Sequence, residues 1–397
     1  MKILFTTLLL TFSISLVAQL DLGQIMSGDD FVGHQPYNIT WSPDNKTVYF
    51  RWQHHGEQIA PYYKTHIDSK SAIQLENNET IPLPVDGFSS DKHQNNSYFQ
   101  KGGNLYKYND KGSELLFQQN SYYYIQDVLD NNSIIIKNGN NLILYQPEQG
   151  KYLQLIDFKK GNKPSESNSP NYLENQQDDL FEIVRQNKIR DKAKKNFNSE
   201  TSAPKIPAFY IGDKSVGWAK ITPDLNYIIF RLDKYANNTN THIENHITND
   251  GYTKSTLARA KVGSKNPKHE LYVMNLKDQS FNKIDISSLP NIYDKPKYIQ
   301  DYQKNDDGFD PKYETIRDVI YTDCWISDQD NNCVVEIKSY DNKSRWIVSL
   351  DLKNKSEIKL EEQQNDDAWI GGPGISSWNM VSGNIGFLND FKTFCEN

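Results

Sequence analysis

The sequence predicts an all-β fold, a β-propeller of four-stranded blades. Three observations carry that expectation. Hairpins of alternating apolar and β-branched or aromatic residues recur around turn-forming clusters. Each hairpin is followed by a third strand of common type and then a fourth apolar run, at a spacing of roughly 40 residues that widens at insertions. Helices do not alternate with strands, as a doubly wound fold would require. About six blades are recognisable, and the last is cut short by the end of the sequence.

Residues 1–19, MKILFTTLLLTFSISLVAQ, read as an export signal. Lys2 supplies the positive start, Ile3 to Val17 the apolar stretch, and Ala18 or Gln19 a cleavage point. The stretch is too short for a firm membrane span. The expected location is therefore the periplasm or the exterior, with an uncleaved N-terminal anchor as the alternative. Residues 20–397 make up the propeller.

The hairpins come next. In 39–52, ITWSPDNKTVYFRW, Pro43 sets φ while Asp44 and Asn45 bond their own backbone. Segment 217–232 repeats the design around Thr222-Pro223-Asp224, and 318–339 repeats it around Ser327-Asp328. Weaker copies follow Phe88 and Val128. Third strands are read at 104–109, 141–146, 270–276 and 345–352, and fourth strands at 114–117, 152–158 and 357–360. The blades are expected at 20–82, 83–117, 118–158, 209–290 and 315–363, with another beginning near Ala368. Between them lie three excursions. The first, 159–208, carries a helix over about 176–198, whose Leu180, Phe181, Ile183, Val184 and Ile189 are expected to pack on the rim. The second, 233–262, and the third, 291–314, are expected to be polar loops.

Composition removes several classes of function. A mean hydropathy of −0.75 excludes a polytopic membrane protein. With 24 Tyr and 7 Trp, the chain has too much apolar surface to be disordered. A net charge of −7 and the lack of a Lys/Arg patch interleaved with aromatics argue against nucleic-acid binding. Cys324, Cys333 and Cys395 have neither the number of a disulfide scaffold nor zinc-ligand spacing. Cys324 and Cys333 flank a turn and are expected to face each other as buried free thiols, a disulfide being the other reading.

The search for chemistry finds no catalytic, cofactor-binding or metal-ligating set, and no substrate-binding residues can be assigned. Gly374-Ile375-Ser376-Ser377-Trp378 lacks the second Gly of a nucleophile elbow. Gly371-Gly372-Pro373-Gly374 reads as a connecting loop rather than a phosphate cradle. His242 and His246 stand four apart around Glu244 but lack the zincin order and sit in a polar segment. His54 and His55 are adjacent, so in a strand they would point to opposite faces. The pairs Asp178-Asp179, Asp306-Asp307 and Asp366-Asp367 read as solvated turns or helix starts. The glycosylation-type sequons at Asn38-Ile39-Thr40 and Asn342-Lys343-Ser344 arise readily in a chain so rich in Asn.

Several strings, in order along the chain, resemble the N-terminal propeller of the prolyl oligopeptidase family of serine peptidases, in its dipeptidyl-peptidase-IV branch. Leu257 to Pro267, LARAKVGSKNP, followed by Glu270 to Leu276, is similar to that branch's Lys-x-Gly-x-x-Asn-Pro segment and the strand after it. Gly212 to Val216, Asp341 to Trp346 and Ala368 to Ile375 resemble stretches of bacterial members. The resemblance implies a propeller that gates or positions peptides for an α/β-hydrolase domain carrying the Ser-Asp-His triad. No residue of this chain takes a triad role, so the chain alone is expected to lack hydrolytic activity and to resemble a truncated or split peptidase. The branch also holds a substrate's amino terminus with adjacent Glu residues. The matching stretch, Phe209 to Val216, has only Asp213. The expected partner is a peptide reached through the missing hydrolase domain, together with dimerisation or association through open blade edges. No cofactor and no nucleic acid are expected. The alternative is a stand-alone propeller binding a peptide, protein or glycan.

Overall fold

The hairpin turns are written into side-chain chemistry. Ser42 accepts a hydrogen bond from the Thr47 backbone N–H (3.0 Å) and donates to Thr47 O (2.9 Å), while Asp44 accepts from the Lys46 N–H (3.0 Å). Thr222 and Asp224 repeat this with Tyr227 N (3.0 Å) and Asn226 N (3.0 Å). Ser339 and Asp341 repeat it again with Ser344 N (3.0 Å) and Lys343 N (3.1 Å). In each turn the residue after the Asp is left-handed: Asn45 (φ 57°), Leu225 (φ 58°) and Asn342 (φ 56°). The hydroxyl and carboxylate replace backbone partners that the tight reversal would leave unmade.

The computed structural model describes residues 21–370, apart from 55, 92–95, 110–111, 164–180, 202–205, 303–309, 328–331 and 354–356, together with the backbone at 386–389 and 392–395. Residues 1–20, His55, Asp178-Asp179, Asp306-Asp307, Asp328 and the 371–378 strings lie outside the described residues. The chain divides into two compact units, one of Met1–Ile136 with Tyr145–Lys151 and the other of Lys137–Leu144 with Tyr152–Asn397.

In the first unit, the short helices α1 (Leu22–Ile25) and α2 (Asp29–Val32) precede a four-stranded antiparallel sheet. Its strands are β1 (Tyr37–Trp41), β2 (Thr47–Arg51), β3 (Tyr62–His66) and β4 (Ile73–Gln74), paired in sequence order. A second sheet follows the same order, with β5 (Ser89–Ser90), β6 (Ser97–Lys101), β7 (Asn104–Asn109) and β8 (Gly112–Gln118). Tyr98 and Leu105 lie on one side of it and Phe99 on the other, all three buried, and Phe99 stacks on Tyr106 at 5.0 Å. The third sheet, β9 (Tyr124–Val128), β10 (Ile134–Asn138), β11 (Asn141–Gln146) and β12 (Lys151–Gln154), is also paired in order. The division between the units runs through it.

The fourth strand expected at 152–158 is two elements. After β12 the chain enters β13 (Asp157–Lys159), which pairs in parallel with β14 (Ala208–Tyr210). Phe158 is the reason. It turns inward and meets Phe209 and Phe230 edge-on, at 6.3 and 5.0 Å, rather than extending the outer strand. The excursion between β13 and β14 carries α3 (Glu182–Thr201). Its expected packing is not observed: Phe181, Ile183, Ile189 and Phe197 are all exposed. Six cations (Arg185, Lys188, Arg190, Lys192, Lys194 and Lys195) surround them, so no face is apolar enough to bury.

The second unit holds an extensive core. Its first complete sheet begins with β15 (Ser215–Ile221) and β16 (Tyr227–Lys234). The 233–262 excursion is a two-stranded ribbon rather than a loop, with β17 (Asn240–Asn245) paired to β18 (Lys254–Ala260). The sheet resumes with β19 (Lys268–Asn275), which pairs with β16, and ends at β20 (Phe281–Lys283). The 291–314 excursion is anchored by the fully buried Ile292 and contains α4 (Lys297–Tyr302). A fifth sheet follows in order: β21 (Val319–Ile326), β22 (Cys333–Ser339), β23 (Ser344–Asp351) and β24 (Glu357–Asn365). Beyond Ala368, the described strands are β25 (Gly386–Asn389) and β26 (Lys392–Cys395), an antiparallel pair.

Ile229, Leu271, Val273, Val335, Trp346 and Val348 lie in one buried cluster spanning the fourth and fifth sheets. Burying each such side chain contributes about 1.5–3 kcal/mol. Trp346 is fully buried, and its indole N–H donates to Pro290 O at 2.9 Å. Many of the aromatic residues are thus blade-strand residues. The fold is all-β, built of four-stranded antiparallel meanders of propeller-blade type.

Candidate functional site

A buried charge network crosses from the fourth sheet to the fifth. Arg231 and Asp233 are two apart on β16 and so share a face. Their guanidinium and carboxylate form a two-point pair, with Nε to Oδ1 at 2.7 Å and Nη2 to Oδ2 at 2.9 Å. Register places His269 of β19 directly opposite Asp233, and Nδ1 meets Oδ1 at 2.6 Å. His269 Nε2 bonds the hydroxyl of Tyr340, in the turn after β22. Arg231 also donates to Tyr321 O on β21 at 2.7 Å. Asp233 and His269 side chains are only 2% and 3% exposed. Burial alone would raise the Asp233 carboxyl, but hydrogen bonds from His269 and Arg231 outweigh it and hold it below the ordinary value. The ionised carboxylate accepts a hydrogen bond from His269 Nδ1–H, and in that tautomer Nε2 accepts from the Tyr340 hydroxyl.

Gly217 makes room for the pair. It lies in a bulge of β15, where the register against β16 shifts between Val216 and Trp218. A Cβ there would sit 2.5 Å from Asp233 Oδ2 and 2.6 Å from Arg231 Nε.

Above the network lies a cleft of about 320 Å³ lined by Lys268, Tyr298, Tyr313, Arg317, Asp318 and Tyr340, among others. A second hollow of about 360 Å³ shares Lys268, Arg317 and Asp318 with it and reaches His269. The charges common to both are paired. Asp318 accepts from Asn266 (3.2 Å) and Lys268, and Arg317 donates to Asp341 (2.8 Å) and Ser344 (3.1 Å). The carboxylate–imidazole–hydroxyl order of Asp233, His269 and Tyr340 matches that of a nucleophilic triad. However, burial first, and then the Asp233 charge, push the Tyr340 phenol up to about 12. It is held as a proton donor, not as a nucleophile. The cleft can bind a polar ligand between tyrosine faces and paired charges.

None of these residues was singled out from the sequence except within the motif stretches. The charged residues within the apolar run of β16 were the available signal. The residues that were singled out lie elsewhere. His242 and His246 belong to the exposed ribbon, where His242 Nδ1 meets Ser255 (3.2 Å) and His246 Nδ1 meets Thr253 (3.5 Å). No group of three or more His, Cys, Asp or Glu side chains able to hold a metal occurs among the described residues. His54 stacks on Trp52 at 3.9 Å. Asp366 is exposed, and Asp367 pairs with Lys297 at 3.0 Å. Asp213 is bound to Lys234 at 2.9 Å, and that contact holds its carboxyl below the ordinary value. Asn38 and Asn342 both adopt positive φ, Asn38 at a register shift within β1 and Asn342 in the turn after β22.

No protein-family model matches the chain, and no curated protein does. Solved structures similar to it include two dipeptidyl peptidase proteins. Dipeptidyl peptidase 4 of Porphyromonas gingivalis superposes with a TM-score of 0.48 at 11% identity, over 95% of this chain and 47% of that one. A protein of Bacteroides ovatus, described provisionally as a dipeptidyl aminopeptidase IV, gives 0.41 at 8% identity, over 90% and 42%. The chain spans less than half the length of either. No helix among the described residues is long and apolar enough to cross a membrane.

Proposed function

We propose that this chain is the propeller portion of an exported serine peptidase of the prolyl oligopeptidase type. In this role it admits and positions peptides for a hydrolase domain that carries the Ser-Asp-His triad. The observation that carries the reading is where the resembling segment sits. Lys261 to Pro267 leads straight into β19, and its Asn266 bonds Asp318 at the start of the next sheet. The segment therefore has a structural job, fixing the join between consecutive meanders, which is the use a repeat-built gate would make of it. Peptide is the substrate in this reading, and open strand edges are where a second chain would associate.

The test is the coding sequence beyond Asn397. A continuing or adjacent frame encoding G-x-S-x-G with a later Asp and His supports the proposal. Unrelated sequence there overturns it. The tyrosine-lined cleft beside Lys268 and Arg317 favours a second reading, a binding propeller for a peptide, protein or glycan. Tight binding of a peptide or glycan array member by the chain, lost on Tyr313→Ala, would select that reading.

A further inference from the structure

We infer that Cys324 and Cys333 form a covalent cross-link site, an inward-facing disulfide that closes the β21–β22 hairpin when the protein folds in an oxidising compartment. The inference shares with the functional reading above only export to an oxidising compartment, not the peptidase role.

The geometry comes from the register. Cys324 lies opposite Val335 and Cys333 opposite Ile326, so the two cysteines are diagonal neighbours on one face of an antiparallel pair. The two Sγ atoms are 3.2 Å apart as free thiols, and both residues are fully buried. Bond formation requires an approach to about 2.05 Å, a movement of about an ångström across a hairpin end. The pair belongs to the same buried cluster as Val335, Ile337, Trp346 and Val348.

The step balances as two thiol–disulfide exchanges. One cysteine thiolate attacks a disulfide of the oxidant, either an oxidised dithiol oxidoreductase or a small oxidised disulfide, and expels one oxidant thiol. The other cysteine thiolate then attacks the mixed disulfide and expels the second. The protein's two thiol protons and two electrons end on the two oxidant thiols. This exchange belongs to folding, before the hairpin docks. Once the core closes, burial and the contact with Cys324 raise the Cys333 thiol well above its ordinary value, which removes the thiolate that exchange requires.

The full chain can be isolated from an oxidising compartment, with N-ethylmaleimide added at lysis and again in denaturant, and then digested with trypsin. Both cysteines fall in the single peptide 318–338, DVIYTDCWISDQDNNCVVEIK. The expected result is that this peptide is unalkylated and two hydrogens lighter than the dithiol, and takes two maleimides only after reduction, while Cys395 is alkylated throughout. Two maleimides on 318–338 without reductant would overturn the inference, and so would a bond from either cysteine to Cys395 or to a second chain. A second measurement compares unfolding before and after reduction. Closing this ten-residue loop should lower the unfolding equilibrium constant by about 100-fold. Equal stability of the two forms would count against a cross-link that the folded core accommodates.

Discussion

Asp233 offers the sharpest test of the buried network. The Asp233→Ala substitution removes a carboxylate that is 2% exposed and that bonds Arg231 at 2.7 and 2.9 Å and His269 at 2.6 Å. It leaves the Arg231 cation, whose side chain is only 14% exposed, without its counter-charge. Breaking a buried pair from one side costs about 3–5 kcal/mol. At roughly 2 °C per kcal/mol, the low end for a large domain, the melting temperature should fall by about 6–10 °C. Replacing both ions, Arg231→Met with Asp233→Leu, removes the orphaned charge. It should recover much of that loss, leaving about 1–3 kcal/mol for the His269 N–H without an acceptor. The pH dependence has a definite sign. Because the folded pKa of Asp233 is lowered, its contribution is complete above the unfolded value of about 3.9 and is lost as pH falls through the lower folded value. The gap between wild type and Asp233→Ala should therefore hold from neutral pH down to about pH 4 and close below it. Thermal melts of the three proteins across this range decide the matter. The reasoning is refuted if Asp233→Ala melts within a degree or two of wild type at pH 7, or if the double variant is the worse of the two.

Three further substitutions probe the same framework by thermal or denaturant unfolding. Gly217→Ala forces a Cβ to within 2.5 Å of Asp233 Oδ2 and should destabilise by about 1–3 kcal/mol through overpacking, whereas a neutral result would mean that the bulge does not seat the pair. Leu225→Gly relieves a left-handed leucine at φ 58° and should stabilise by up to about 1 kcal/mol, so a loss of stability would contradict the strain assigned to that turn. Trp346→Ala empties the centre of the second unit's core and should cost about 3–5 kcal/mol; a loss under 1 kcal/mol would show that Trp346 does not anchor that cluster.

The meanders were legible because their information is local. Ser42-Pro43-Asp44 and Thr222-Pro223-Asp224 encode the reversal in residues that bond their own turn, and period-two runs such as Tyr227 to Leu232 declare a strand without help from distant chain. The network was not legible because its information is register. Asp233 and His269 are 36 residues apart, and only the pairing of β16 with β19 across the inserted ribbon brings them together. Tyr340 comes from yet another sheet. The α3 helix shows the opposite failure: its apolar residues suggested a packed face, but the interleaved Lys and Arg leave them in solvent. The ribbon was misread as a loop because Asn and Glu, both depleted in strands, make up half of β17.

The account's central claim concerns what the chain serves. Antibody raised against the chain should capture the native species from its host, and the capture can be treated with a fluorophosphonate probe. The account predicts covalent labelling of a serine in the captured species and none on the purified 397-residue chain alone. A captured species that stays unlabelled, or a label on the isolated chain, would contradict it.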